Sequence, residues 1–534
     1  MAYSSLSAPP LADMPETLAA GIRSFPHMLF EAARLYGHAP AVVDEDGAVW
    51  SYVELGRQVT HIARSLIALG IRRGDTVAIW APNSPQWIAA ALGLQMIGAV
   101  LVPLNRRLKA GEAGYILSAS RARLLFTVGD FLGNDYPLML AGEDLPTLKR
   151  IVCMSGCSAA AVVSWDDFLG ESQGITARAA QARLDAVGAD DLSDILFTSG
   201  TTGRPKGVMI THGQNLRQYA VYSGQLGLRR NDRYLIVNPF FHVFGYKAGW
   251  LIALMRGAVI YPIAKFDPAA TLDCIARQLI TYLPGPPTLF HSLLAGPFAA
   301  FDLSSLRLSI TGAASVPVEL VRRMRRDLGI GTVLTAYGLT ESCGVVTMCS
   351  PGDDAETVAN TAGKPIRGVS MKLVDDQGFE VPPGTPGEIL VRGDCVMRGY
   401  LDQPQATAEV IDAEGWLHTG DLGMFDPGGD LRITGRKKEM FIVGGFNCYP
   451  AEIENSLLSH PAIGEAAVIG IADERLGEVG KAVVVPAAGM VVDPEAVIAW
   501  CRDNMANYKV PRVIEVRDAL PRNASGKVEK FRLS

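Results

Sequence analysis

Eleven consecutive residues, Thr198 to Val208 (T-S-G-T-T-G-R-P-K-G-V), carry three glycines, four hydroxyl side chains and one lysine. Backbone N–H groups in such a loop can surround phosphate oxygens, because glycine permits close approach and positive φ. Thr198, Ser199, Thr201 and Thr202 add hydroxyl donors, Gly200 and Gly203 the flexibility, and Lys206 a positive charge. The spacing is not that of the Walker A loop: the first two glycines come too early, and no Ser or Thr follows Lys206. A nucleotide is expected here, but not in the usual arrangement of a P-loop NTPase. A Gly/Thr-rich surface turn would have the same composition.

Six further segments hold residue types suited to the same chemistry. Pro239–Gly245 (P-F-F-H-V-F-G) sets His242 among aromatics, and Thr311–Ser315 (T-G-A-A-S) is a small-residue turn. Tyr337–Glu341 (Y-G-L-T-E) joins an aromatic, a hydroxyl and a carboxylate. Trp416–Asp421 (W-L-H-T-G-D) ends in a carboxylate. Gly444-Gly445-Phe446-Asn447 leads to Tyr449–Glu454 (Y-P-A-E-I-E), and Asn523–Lys527 (N-A-S-G-K) lies near the C-terminus. Each alone has an ordinary structural reading. Tyr337 could be a core tyrosine, Glu341 and Asp421 solvated acids, His242 a satisfied histidine, His418 a packing residue, and Lys527 one lysine among many.

The elements that position these segments follow from patterning. Ala41–Tyr52 reads as a hairpin turning at Asp46-Gly47. Ser51 with Glu54 makes a capping pattern for a helix whose apolar positions run Leu55, Val59, Ile62, Leu66, Leu69 and which Gly70 stops. Thr76–Trp80, Pro85–Ile97 and Ala99–Leu104 form a β-α-β unit, the mark of a helix-covered parallel sheet. The alternation continues through strand Arg233–Asn238, a helix from Phe244, strand Val259–Tyr261 and helix Ala269–Leu279. From about Ile366 short strands alternate with Gly/Pro turns, at Met371–Val374, Gly387–Arg392 and Asp430–Thr434. A charged link, Gly435–Lys438, precedes a small α/β unit with helix Pro450–His460 and strands Ala466–Ile471, Ala482–Val485 and Val513–Val516. The fold class is α/β: a large N-terminal domain of helix-covered mixed sheets with a β-rich subdomain, then a small, mobile C-terminal α/β domain.

Composition bounds the rest. In 534 residues, 49% are apolar and 19% charged, so large packed cores are expected and wholesale disorder is not. A net charge of −6 gives no reason to expect nucleic acid. The eight cysteines form no C-x-x-C pair and the eight histidines no H-x-x-x-H, which points to reduced, mostly buried thiols and no zinc. The N-terminus lacks a secretory pattern. The longest apolar run, Trp87–Leu104, contains Gln95, Gly98 and Pro103 and suits a buried helix and strand better than a membrane span. A cytoplasmic enzyme is expected.

In this order, the loop and the six segments resemble the adenylate-forming superfamily: acyl-CoA synthetases, peptide-synthetase adenylation domains and beetle luciferases, over about residues 25 to 530. The resemblance implies an N-terminal AMP-binding domain at 1–435 with its β-rich subdomain near 366–435, a hinge at 436–438 and a C-terminal lid at 439–534. It implies two half-reactions: a carboxylate attacks the α-phosphate of MgATP to give acyl-AMP and pyrophosphate, then a thiol takes the acyl group and AMP leaves. The Thr198–Lys206 loop, with Ser199, Gly200, Thr201, Thr202 and Gly203, would hold the β- and γ-phosphates. Glu341 would bind Mg²⁺, Thr340 the α-phosphate, and Tyr337 would stack on adenine beside Gly312, Ala313, Ala314 and Gly338. Asp421, supported by Arg436, would bind the ribose, and Lys527 would bridge carboxylate and α-phosphate oxygens. Lys438 matches the hinge, and Gly444 and Gly445 would shape the pantetheine tunnel. His242, Val243, Phe244, Gly312, Ala313 and Gly338 would line the acyl pocket, His242 as lining or gate, their small members leaving room for a bulky apolar acid.

Peptide-synthetase domains for α-amino acids usually carry Asp where His242 stands, and no carrier domain follows, so CoA is the expected acceptor. Phe131–Tyr136 and Phe244–Gly249 resemble bacterial ligases for ring-bearing propanoate or fatty side chains of steroid-like and terpenoid acids. The alternatives are a stand-alone enzyme loading an acyl carrier protein, a luciferase-like oxygenase, or a non-catalytic nucleotide- or CoA-binding regulator.

Overall fold

A computed structural model describes residues 22–157, 162–198, 204–312, 316–443, 446–523 and 527–533. Its largest sheet has eight strands, in the spatial order Gly399–Tyr400, Lys206–Thr211, Leu192–Thr198, Val100–Pro103, Thr76–Trp80, Leu124–Thr127, Arg150–Cys153, Val163–Ser164. The strands from Leu192–Thr198 to Val163–Ser164 pair in parallel, and the two at the other edge pair antiparallel. Parallel strands need both faces covered, and the strands at 76–80, 100–103 and 124–127 are correspondingly apolar and buried along almost their whole length. Helix Pro85–Met96, capped by Ser84, is buried at eleven of its twelve positions. No described helix is long and apolar enough to cross a membrane.

A second sheet runs Val49–Ser51, Pro40–Val43, Val259–Pro262, Arg233–Ile236. Parallel bridges through Tyr282 join it to Leu308–Thr311, Thr332–Tyr337, Thr347–Met348 and Lys364–Pro365. A third, antiparallel sheet orders Val369–Val374, Gly387–Gly393, Leu417–Phe425, Leu431–Arg436. The C-terminal sheet is built on the long hairpin Ile463–Asp473 with Gly477–Pro486. One apolar core extends from Phe25 to Ile366, and a separate one from Phe441 to Ile514. The architecture is thus a large N-terminal domain of mixed sheets and a small C-terminal α/β domain.

The local readings fall close to the observed elements. Ser51 caps helix Tyr52–Ala68 by accepting from the Glu54 N–H, and strands 76–80 and 513–516 have the expected bounds. The helix read from Phe244 is a short turn at Val243–Gly245 running into a π-helix, Tyr246–Leu251. The thiol reading needs correction. Cys153 and Cys157 are joined by a disulfide, because the turn after strand Arg150–Cys153, tied down by the Gly129 N–H donating to Ser155 O, brings their Cα atoms to 6.0 Å. Cys343, Cys349, Cys395, Cys448 and Cys501 are buried cysteines and Cys274 is half-buried.

Candidate active site

The phosphate-binding candidate is the connection of an antiparallel pair, with Thr198 facing Lys206 across the ladder. Ser199, Gly200, Thr201, Thr202 and Gly203 lie outside the described residues. The stem beyond them is anchored by Tyr115: its hydroxyl donates to Pro205 O at 3.2 Å, and its ring carries the Arg204 guanidinium 5.2 Å from the centroid. The Lys206 ammonium lies 4.8 Å from the centroid of the Tyr400 ring.

Gly312 and Tyr337 sit at the carboxyl ends of two adjacent parallel strands, Leu308–Thr311 and Thr332–Tyr337. In open α/β sheets this end of the strands is where ligands bind. Ala313 and Ala314, with Ser315, lie outside the described residues. After Tyr337 the chain folds back on itself. The Gly344 N–H donates to Leu339 O at 2.7 Å and the Val346 N–H to Tyr337 O at 2.8 Å, enclosing a single 3₁₀ turn at Thr340–Ser342. Two glycines make that crossing possible: a Cβ on Gly338 would lie 2.5 Å from Gly344 O, and one on Gly344, at φ +104°, would lie 2.1 Å from Val243 Cγ1. The small size of Gly338 thus serves the backbone crossing; at Gly312 the nearest atom to an added Cβ is Ala336 O at 3.4 Å, so space does remain there.

Glu341, half-buried, projects from this turn, and its Oε1 accepts from the Tyr400 hydroxyl at 3.0 Å. Among the described residues no group of three or more His, Cys, Asp or Glu could hold a metal. A cation at Glu341 would take most of its ligands from phosphate and water, which suits Mg²⁺, an ion that usually meets only one or two carboxylates in phosphate sites.

Asp421 is brought opposite Arg436 by the pairing of strands Leu417–Phe425 and Leu431–Arg436. Its Oδ1 meets Arg436 Nε at 3.1 Å and its Oδ2 accepts from the Tyr337 hydroxyl at 2.7 Å. Burial raises the Asp421 carboxyl above its ordinary range, against the opposing pull of Arg436, the Tyr337 hydroxyl and Lys527. Burial, then the Asp421 charge, holds the Tyr337 phenol far above its usual value, so it remains a donor. Lys527 is exposed as a residue, and its ammonium feels the charges of Arg436, Glu439 and Asp421. Desolvation first, and the Arg436 charge next, hold it below an ordinary lysine. The charge of the C-terminal lysine is thus felt at the candidate ribose-binding carboxylate, 106 positions away in sequence (527 − 421).

Between them runs the turn 437–439, with Lys438 exposed. Lys437 is pinned to the N-terminal side by Glu388 and Asp376, both at 3.1 Å. Glu439 is pinned to the other side through Lys530, whose ammonium also meets Glu454 at 2.7 Å. Gly444 and Gly445 lie outside the described residues. His418, read as a packing residue, has its Nε2 3.5 Å from Asp412 and its Nδ1 3.8 Å from Glu388.

His242 caps the turn Val243–Gly245, its Nδ1 accepting from the Phe244 N–H at 3.2 Å, which leaves the ring proton on Nε2. His242 is exposed as a residue, and desolvation by the protein atoms around it lowers the imidazole from its ordinary pKa. Val243 packs against Gly344, so the aromatic segment abuts the Glu341 loop. Phe244 is half-buried. Sequence reasoning missed Tyr115 and Tyr400, lone tyrosines with no motif of their own, and the Glu439–Lys530–Glu454 bridge, whose only signal was alternating charge in distant segments.

The profile of the AMP-binding enzyme family matches residues 29–401, and that of the AMP-binding enzyme C-terminal domain residues 452–527. A 3-[(3aS,4S,7aS)-7a-methyl-1,5-dioxo-octahydro-1H-inden-4-yl]propanoyl:CoA ligase of Mycobacterium tuberculosis is 48% identical over 96% of this chain and 98% of its own. A ligase of the same name from Rhodococcus jostii is 47% identical over 95% and 97%. The crystal structure of the anthranilate CoA ligase AuaEII in complex with anthranoyl-AMP superimposes with a TM-score of 0.87 at 28% identity, covering 98% of each chain.

Proposed function

Because this chain belongs to the AMP-binding enzyme family, we propose that its site residues divide the work of acyl adenylation and thioester formation on a propanoic acid carrying a fused, partly oxidised ring system. The enzyme is an ATP-dependent, AMP-forming acyl-CoA ligase. The observation that carries the residue assignment is the Asp421 carboxylate held between Arg436 Nε (3.1 Å) and the Tyr337 hydroxyl (2.7 Å), with the Lys527 charge from the C-terminal domain acting on it.

In the first half-reaction two anions must approach, so fixed cations and N–H donors must offset the charge that builds on phosphorus. Lys206 and the loop before it hold the β- and γ-phosphates, and Thr340 donates to the α-phosphate. Asp421 accepts the ribose hydroxyls, oriented by Arg436 and Tyr337. Lys527 bridges the carboxylate and α-phosphate oxygens. Glu341 would hold Mg²⁺, which would supply further charge neutralisation on the phosphates. The carboxylate oxygen bonds to the α-phosphorus as the bond to pyrophosphate breaks. In the second step the CoA sulfur bonds to the acyl carbon, AMP leaves with its electron pair, and the thiol proton passes to solvent.

For the acid, support comes from the two ligases of about one-half identity, whose name specifies an octahydroindenyl propanoate, and from Val243, which packs against the Glu341 loop beside His242 and Phe244. The same relatives favour CoA over a carrier protein. A panel of fatty, aromatic and fused-ring acids in a pyrophosphate-release assay, with CoA omitted and then added, tests this. Fused-ring propanoates are expected to give the highest kcat/KM, and preference for acetate or benzoate would overturn the assignment.

The turn at 436–438 is the proposed hinge: Lys437 is tied to one domain and Glu439 to the other, so the φ/ψ change falls on Lys438. Lys438→Pro, which fixes φ, is expected to slow thioester formation more than acyl-AMP formation in single-turnover measurements of each. Equal losses would remove the hinge from Lys438.

A further inference from the structure

Tyr400 belongs to none of the motifs, yet it touches both ends of the phosphate site. It lies on the short edge strand Gly399–Tyr400, paired with the strand that begins at Lys206. Its register is fixed by the Arg398 N–H donating to Met209 O (2.9 Å), the Leu401 N–H to Gly207 O (2.8 Å) and its own N–H to Thr407 Oγ1 (2.9 Å). The same segment holds the backbone of Glu341, whose carbonyl accepts from the Met397 N–H at 2.9 Å. From this frame the ring, 8% exposed, carries the Lys206 ammonium 4.8 Å from its centroid, and the hydroxyl donates to Glu341 Oε1 at 3.0 Å.

We propose that Tyr400 is a positioning residue for the magnesium–polyphosphate end of the substrate, holding the cation of Lys206 on its face and the carboxylate of Glu341 on its hydroxyl so that the two opposite charges stay separate and aimed at the ligand. Without such a spacer a lysine and a carboxylate reaching into one site would neutralise each other, and MgATP would have to break that pair on binding. A cation over an aromatic face is held firmly enough to fix a rotamer but gives up the ammonium's N–H donors to an arriving phosphate. A hydroxyl occupying one carboxylate oxygen leaves the other for a metal, and fixes the ligand's orientation as hydrogen bonds to metal-binding carboxylates do. The inference rests on the placing of phosphate at Lys206 and metal at Glu341 given above.

Calorimetric binding of the non-hydrolysable analogue β,γ-methylene-ATP to the full-length protein, with and without Mg²⁺, tests it. Tyr400→Phe keeps the ring and loses the hydroxyl. It is expected to bind the metal-free analogue as the wild type does, and to lose about tenfold in affinity only when Mg²⁺ is present, the scale of one hydrogen bond to a charged group. In a Glu341→Gln background the same change is expected to cost nothing further, a coupling that a general packing defect would not produce. Tyr400→Leu, lacking the ring, is expected to weaken the metal-free complex as well. Unchanged Mg²⁺-dependent affinity in Tyr400→Phe, or losses that add in the double variant, would overturn the role of Tyr400. A wild-type protein that binds no analogue under either condition would overturn the phosphate-site reading, and the inference with it.

Discussion

Replacing Lys527 with alanine is expected to slow acyl-AMP formation by about 10²–10³-fold, the loss typical of one preorganised donor at a site of developing charge. The conversion of supplied acyl-AMP to thioester should survive. The asymmetry follows from where the charge builds. Only the first half-reaction brings a carboxylate against a phosphate, and the positive charge of Lys527, on the C-terminal domain, acts on Asp421. The lysine is held from its backbone, its N–H donating to Asn523 Oδ1 at 2.9 Å and its carbonyl accepting from the Asn523 N–H at 2.8 Å, so the ammonium starts from a fixed root. Nearby Arg436 and Glu439, of opposite charge, orient it without cancelling it. Pyrophosphate release in a single turnover measures the first step, and CoA-dependent AMP release from synthetic acyl-AMP the second. If both fall together, Lys527 is serving the fold or the second step, and the division of labour between the domains is wrong.

What the sequence made legible is mostly local. Strand Thr76–Trp80 could be bounded because β-branched and apolar residues run unbroken across it, and Val513–Val516 because three β-branched residues fill four positions after Pro511. Helix Tyr52–Ala68 could be bounded because Ser51 and Gly70 mark its ends. The motif residues were recognisable as types, but the geometry that joins them is non-local. Strand Leu417–Phe425, which carries Asp421, holds two glycines and no clean alternation, so neither the strand nor the register that sets Asp421 against Arg436 could be read. Tyr400 sits in an R-G-Y run that resembles turn punctuation, and its partners Lys206 and Glu341 come from far upstream. Gly338 was legible as small, but the reason, a backbone crossing with Gly344, depends on a fold-back that residue types alone do not specify. The disulfide was hidden for the same reason: C-x-x-x-C carries no signal until a turn closes it.

Beneath the site lies a charge pair whose disruption should have the largest effect on stability. Asp194 and Lys247 meet at 2.8 Å with both side chains 0% exposed. Asp194 sits on the strand that runs to Thr198, and its Oδ2 also accepts from Ser193 Oγ (2.7 Å) and Asn215 Nδ2 (3.1 Å). Lys247 lies in the π-helix Tyr246–Leu251, all six residues of which are buried, so its ammonium has no route to water. Asp194→Ala would strand that ammonium in an apolar wall, at a cost of about 3–5 kcal/mol. The expected outcome is a clear fall in the midpoint of the urea transition of the large domain, with partial unfolding near physiological temperature. Asp194→Leu combined with Lys247→Met removes both charges while keeping volume, and is expected to recover most of the loss, since a buried pair is seldom better than well-packed apolar residues. The comparison separates two explanations for the pair. If the double variant is as unstable as the single one, the cost comes from shape and from the Ser193 and Asn215 hydrogen bonds, not from an orphaned charge. If it is stable, the pair is retained for something other than stability. The strand feeding the phosphate loop and the π-helix that follows His242 are the two elements it ties together, so the stable double variant should then show its defect as a raised KM for the acid and for ATP.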